Sequence, residues 1–157
     1  MADEKKLAAA KSMFATFCQA LDSNDWKYKK NEEKLRIDCG ARGDDLPMDL
    51  VIDVDDERGF VMVISNLPFR IQEDKRVECA AAVCAVNNVL VHGCFDFNVA
   101  DGNMFFRMTN SFIDSILSED LCAYMLYCAC QTIDEYNDKF LMLSKGMLSL
   151  EKFIETI

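Results

Sequence analysis

The sequence predicts an α+β domain on an antiparallel, five-stranded sheet in the order αβββαββα, and three observations carry that expectation. Residues 73–108 read as an apolar helix, a glycine stop and a hairpin. Runs of alternating apolar and polar residues precede that stretch. Amphipathic helical patterns stand at both ends of the chain.

The first pattern covers residues 4–21, where Leu7, Ala10, Phe14, Phe17, Cys18 and Leu21 recur at three- and four-residue steps. The polar run Asp22-Ser23-Asn24-Asp25 ends it. Trp26 and Tyr28 follow in the charged context KYKKNEEK. They read as aromatics closing the edge of the core, with a ligand or partner surface as the alternative role.

Three strands come next. Leu35, Ile37 and Cys39 alternate with polar neighbours, and Gly40, Gly43 and Pro47 mark the connection to Leu50, Ile52 and Val54. Asp56-Glu57-Arg58-Gly59 turns the chain into Phe60–Ser65. Two registers fit this second hairpin. A loop ending at a left-handed Gly59 turns Met62 and Ile64 inward, and a four-residue loop turns Val61 and Val63 inward.

The central helix spans residues 74–91, with Glu73 and Asp74 favourably placed at its positive end. At about 100° per residue, Val77, Ala80, Ala81, Cys84 and Val91 share one face. Cys79, Ala82, Val83, Val86 and Leu90 share the roughly opposite face. A helix apolar on two sides is covered on two sides. The second set is therefore expected to pack on a symmetry mate or on a neighbouring element. Asn87 and Asn88 need hydrogen-bond partners if buried, and Gly93 stands where a helix stops.

Asp101-Gly102 between alternating hydrophobics points to a two-residue type I′ turn. That register sets Val99 opposite Met104, Phe97 opposite Phe106, Phe95 opposite Met108 and Asp96 opposite Arg107. Ser118 caps a long helix over residues 119–144, and residues 148–157 add a short one. No linker or repeat divides residues 1–157, which read as a single domain.

Composition narrows the function. The net charge is −10 at a sequence pI near 4.5. An acidic surface repels nucleic acid and anionic membranes, so neither is an expected partner. No apolar run approaches the ~20 residues of a membrane span, and the N-terminus lacks the apolar core of a signal peptide. The eight cysteines lie within apolar patterns, which fits free thiols in a reducing cytoplasm.

The residues that could carry chemistry do not assemble. His92 beside Gly93 suits a cation at a helix end. Cys128 and Cys130 lie about 200° apart on a helix and cannot chelate one ion. In the calcium-like run from Asp53 to Gly59 the glycine comes one place late, and Ile64 stands where a bidentate glutamate belongs. No phosphate-cradling glycine loop or nucleophile elbow is present. The expectation is no catalytic residue, no metal and no cofactor.

The element order, Trp26 and Tyr28 after the first helix, the passage Ala82-Val83-Cys84-Ala85-Val86-Asn87, then Gly93, Phe95, Asp101-Gly102 and Phe106-Arg107 resemble the YbjN-like family of bacterial proteins. The resemblance spans nearly the whole chain. It implies a type III secretion chaperone-like fold, commonly dimeric, and a role in sensory-transduction regulation with no reaction assigned. The cysteine richness and the doubled Asn87-Asn88 depart from that pattern. The resulting expectation is a cytoplasmic, non-enzymatic protein-interaction module acting as a homodimer. The alternatives are a secretion-type chaperone holding an unfolded segment along the sheet and first helix, and a small-molecule binder with a helix–sheet pocket near Trp26 and Tyr28.

Overall fold

A computed structural model describes residues 2–115 and 117–157. Among them the elements run α1 (Ala2–Ser23), β1 (Tyr28–Asn31), β2 (Arg36–Arg42), β3 (Pro47–Asp55) and β4 (Phe60–Arg70). A short 3₁₀ turn then leads into α2 (Arg76–Val89), followed by β5 (Cys94–Asn98), β6 (Asn103–Ser111), α3 (Glu119–Ser144) and α4 (Leu150–Ile154). The α+β class and the order of elements are as expected, with a sixth strand added. That strand is β1, at the edge of an antiparallel sheet ordered β1-β2-β3-β4-β6-β5. Its sequence, Tyr-Lys-Lys-Asn, carries no apolar alternation, because an edge strand this short is wet on nearly every side.

One face of the sheet carries the core. Met48, Leu50, Ile52 and Val54 on β3, Val61, Val63 and Leu67 on β4, and Met104, Phe106 and Met108 on β6 are all buried. The helices close over this face. They add Phe14, Phe17 and Leu21 from α1, Val83 and Val86 from α2, Met125, Ile133 and Phe140 from α3, and Phe153 from α4. Each such side chain removed from water contributes about 1.5–3 kcal/mol before conformational entropy is set against it. Phe95 meets Phe106, Phe140 and Tyr136 edge-on at 5.1–6.1 Å between ring centres, which ties β5 and β6 to α3.

The three tight hairpins share one loop. Asn31 pairs with Arg36, Asp55 with Phe60 and Asn98 with Asn103, so each loop holds four residues. Its last residue is left-handed in every case: Leu35 (φ 49°), Gly59 (φ 72°) and Gly102 (φ 76°). An Asn or Asp opens each loop and accepts a backbone N–H with its side chain, from Lys34 to Asn31 (3.0 Å), from Arg58 to Asp55 (2.8 Å) and from Ala100 to Asn98 (3.0 Å). The two-residue turn expected at Asp101-Gly102 is therefore corrected. Phe97 faces Met104, Phe95 faces Phe106 and Asp96 faces Phe105. The correction moves the register by two residues, so every side chain keeps its face. Asp96 still binds Arg107, now on the diagonal, with Nε 2.7 Å from Oδ2. At the second hairpin Val61 and Val63 point inward, as the four-residue reading requires.

The corner from α2 into β5 is tight. The helix ends at Val89, two residues sooner than the periodicity suggests, and Gly93 serves the connection rather than the helix end. Gly93 has φ 75°, and a Cβ there would enter the ring of Phe106. Asn87, in the last turn of α2, reaches across to β5. Its Nδ2 donates to the Phe95 carbonyl and its Oδ1 accepts from the Phe95 N–H, both at 2.9 Å. The amide thus takes the place of a neighbouring strand at this edge. Replacing Asn87 by Ala strands two partly buried backbone groups and is expected to lower unfolding free energy by about 2–3 kcal/mol. Replacing Gly93 by Ala adds left-handed strain to a steric clash, for a loss of about 2–4 kcal/mol. Urea denaturation of the two variants measures both.

Candidate functional site

The helices cover only one face of the sheet, and the other face is not polar where it should be. An antiparallel sheet open to water normally alternates apolar-in with polar-out. Here Phe60, Met62 and Ile64 run along the open side of β4, with Val51 beside them on β3 and Phe105 on β6, all half-buried. The pairings set these residues in rows across the sheet. One row reads Asp38, Val51, Ile64, Arg107, Cys94, and the next reads Arg36, Asp53, Met62, Thr109.

Charge borders the apolar strip unevenly. Along β3 stand Asp49, Asp53 and Asp55. Asp55 is held by Arg58, whose backbone N–H and guanidinium keep its carboxyl below the usual carboxylate range. That pairing also explains why the calcium-like run is a hairpin turn. Arg36 is engaged by Asp38 at 2.9 Å. On the β6 side the one cation, Arg107, is occupied by Asp96.

The residues expected from sequence at an interface lie elsewhere. Cys79, Ala82, Val83 and Val86 are buried and Leu90 packs against the same core. The symmetry-mate reading of these residues, a dimer interface, is therefore corrected and the neighbouring-element reading holds, because they are covered by this chain's own β5, α3 and α4. The helix is two-faced as expected, but the uncovered side is the other one: Val77 is 79% and Val91 87% exposed, with Ala81 and Cys84 exposed between them. Similar hydrophobicity on the two sides hides the choice from periodicity alone. The position of Asn87, which must find a backbone partner, was the available signal.

Trp26 and Tyr28 part company. Trp26 lies edge-on to Tyr127 of α3 at 6.3 Å. Tyr28 donates its hydroxyl to Asp22 at 3.0 Å, and burial together with that bond holds its phenol above its ordinary range. Tyr28 lines a shallow hollow of about 440 Å³ with Lys29, Asp38, Cys39 and Asp49. A larger groove of about 780 Å³ runs between α1 and the β1–β2 hairpin, floored by Leu7, Phe14, Cys18 and Leu35 and rimmed by Lys30 and Glu33.

The thiols and the histidine are spread through the fold. His92 is exposed and stacks edge-on against Tyr124 at 5.6 Å. Among the described residues no three His, Cys, Asp or Glu side chains converge as a metal site would require. The eight cysteines are free, and Cys84 is the exposed one. Burial pushes Cys39 and Cys122 up to about 12 and Cys79 and Cys130 up to about 11. Two buried polar side chains, Ser65 on β4 and Asn137 on α3, have no partner among the described residues.

Among the described residues no helix is long and apolar enough to cross a membrane. The fold is that of YbjN. The crystal structure of that E. coli protein, described as a candidate transcription regulator, superposes with a TM-score of 0.57 at 13% identity, over 80% of this chain and 92% of the other. At that identity the likeness is one of fold. No protein-family model matches the sequence, and no curated protein matches it.

Two outcomes follow from the thiols. At concentrations low enough to keep the folded chain a single copy, a thiol reagent should modify Cys84 rapidly and the buried cysteines only after unfolding; a Cys84→Ser variant that labels at the same rate would contradict the placement. A thiol pKa raised on folding adds stability that is complete below the unfolded value near 9.0 and is lost as pH rises toward the folded values of about 11 to 12. The urea midpoint should therefore fall steadily above pH 9, and Cys39→Ala should flatten that fall.

Proposed function

We propose that the chain is a non-enzymatic protein-interaction module of the YbjN-like family, a cytoplasmic regulator that works as a homodimer and meets its partner on the open face of the sheet. The observation that carries this reading is the apolar strip Phe60, Met62, Ile64, Val51 and Phe105 in the middle of a face with no helix over it. Contiguous apolar surface edged by charge is the usual mark of a protein-binding site. An active site would need a poised nucleophile or base, and burial pushes the Cys39, Cys79, Cys122 and Cys130 thiols away from the reactive thiolate. With a net charge of −10, regulation acts through protein contact rather than through direct grip on DNA.

The homodimer rests on the uncovered side of α2. Val77 stands in its first turn and Val91 two residues past its last, and the small Ala81 and Cys84 between them let a second backbone approach closely. A second reading, a chaperone for an unfolded segment, is favoured by the groove between α1 and the β1–β2 hairpin, whose apolar floor suits an extended chain.

Sedimentation equilibrium should return twice the 17.9 kDa chain mass for the wild type and a single chain mass for Val77→Asp. A monomeric wild type removes the homodimer, and a dimer indifferent to Val77→Asp moves it to another surface. Affinity capture from native extract with wild type, Ile64→Thr and Phe14→Ser then separates the readings: loss on Ile64→Thr alone supports the open face, and loss on Phe14→Ser alone supports the chaperone. Stoichiometric zinc or iron in the purified protein would overturn the non-enzymatic reading.

A further inference from the structure

We propose that the occupant of the open face is an amphipathic α-helix with cations along one flank, supplied by the partner protein. This rests on the interaction reading above and names the chemistry of the partner.

Three features select a helix. From Val51 on β3 across Ile64 on β4 the apolar strip reaches β6 on the diagonal at Phe105, which pairs with Asn66 of β4. At about 4.8 Å between strands that is roughly 10 Å, the diameter of one α-helix. Along β4 the strip from Phe60 to Ile64 is about 13 Å long, matching between two and three helical turns. A strand, by contrast, would have to enter at a sheet edge. At β5 the outward N–H and C=O of Phe95 are already bound by Asn87. At β1 the edge is four residues long and carries Lys29 and Lys30.

Charge selects the sign. On the open side of β3, Asp49 and Asp53 flank Val51 at the edge of the strip, while Asp55 farther along is already paired with Arg58. Across the strip Arg107 is already neutralised by Asp96. A helix lying along β4 with its apolar side down would hold one flank over the β3 carboxylates, and lysines or arginines there meet opposite charge. A second copy of this chain would bring another acidic surface, from a molecule of net charge −10, against that row.

The probe is a fluorescein-labelled synthetic helix of leucine and lysine, with all leucines on one face, read by anisotropy against the full chain. Two controls accompany it, one with every lysine replaced by glutamate and one with every leucine replaced by serine. The expected result is saturable binding of the leucine–lysine helix, about tenfold weaker for Ile64→Thr. The Asp49→Asn, Asp53→Asn double variant should bind it more weakly with a shallower salt dependence. Ile64→Thr keeps a β-branched residue in the strand, and Phe105→Ser repeats the test on β6 should that variant fail to fold.

Binding unaffected by Ile64→Thr or Phe105→Ser overturns the proposal, as does equal binding of the leucine-free control, which would reveal attraction by charge alone. Equal binding of the glutamate helix, lost on Ile64→Thr, keeps the open face as a docking site and overturns the basic partner. No binding, with Ile64→Thr turning a dimer into a monomer, assigns the face to a second copy and overturns the proposal while the interaction reading stands.

Discussion

The structure depends on the coverage of a six-stranded sheet from one side only. Strands β3, β4 and β6 alternate strictly, so Val61 and Val63 point one way while Phe60, Met62 and Ile64 point the other. Both sets are apolar, and the helices reach only the first. Burial of the first set holds the molecule together; partial exposure of the second leaves it with unspent hydrophobic surface. Deleting side chains from the core face opens cavities. Changing them on the open face leaves the core untouched, and this asymmetry separates what the fold needs from what it offers a partner.

The corner between α2 and β5 determines which routes to the sheet remain. Asn87 supplies both halves of a missing strand to Phe95, while Gly93 lets the chain turn against the ring of Phe106. One amide therefore fixes α2 over the core and closes the edge next to it. With β1 short and lysine-rich at the opposite edge, approach to the sheet is directed to its face. Blunted edges and an apolar face form a consistent pair: the first suppresses indiscriminate strand addition, and the second keeps a specific surface available.

Much of this was legible in the sequence. The fold class, the order of elements, the Ser118 cap, whose hydroxyl accepts from Leu121 at 3.1 Å, and the faces of the 94–108 hairpin follow from periodicity and turn chemistry. The loop lengths were not, because Asp-Gly signals a left-handed residue without stating how many residues precede it. The Asx residue opening each loop, Asn31, Asp55 or Asn98, is the missing mark. Leu35 carries the same left-handed geometry without being glycine, since its side chain is held in the core. The strand at residues 28–31 escaped because it lacks an apolar face. The orientation of α2 escaped because its two faces are nearly equal in hydrophobicity. The candidate site was hidden for a related reason. In the register that proved correct, Phe60, Met62 and Ile64 are the leftover residues of a strand already explained, and only the finished sheet places them beside Val51 and Phe105.

The central claim is that this second face is open in the free protein. Methyl NMR with a soluble paramagnetic probe measures it directly at working concentration. The account predicts strong broadening of the methyl signals of Val51, Met62 and Ile64, with Ile52, Val61 and Val63 on the same strands left sharp. Equal protection of both sets would mean that the face is already covered in the protein's own assembly, which would contradict the account.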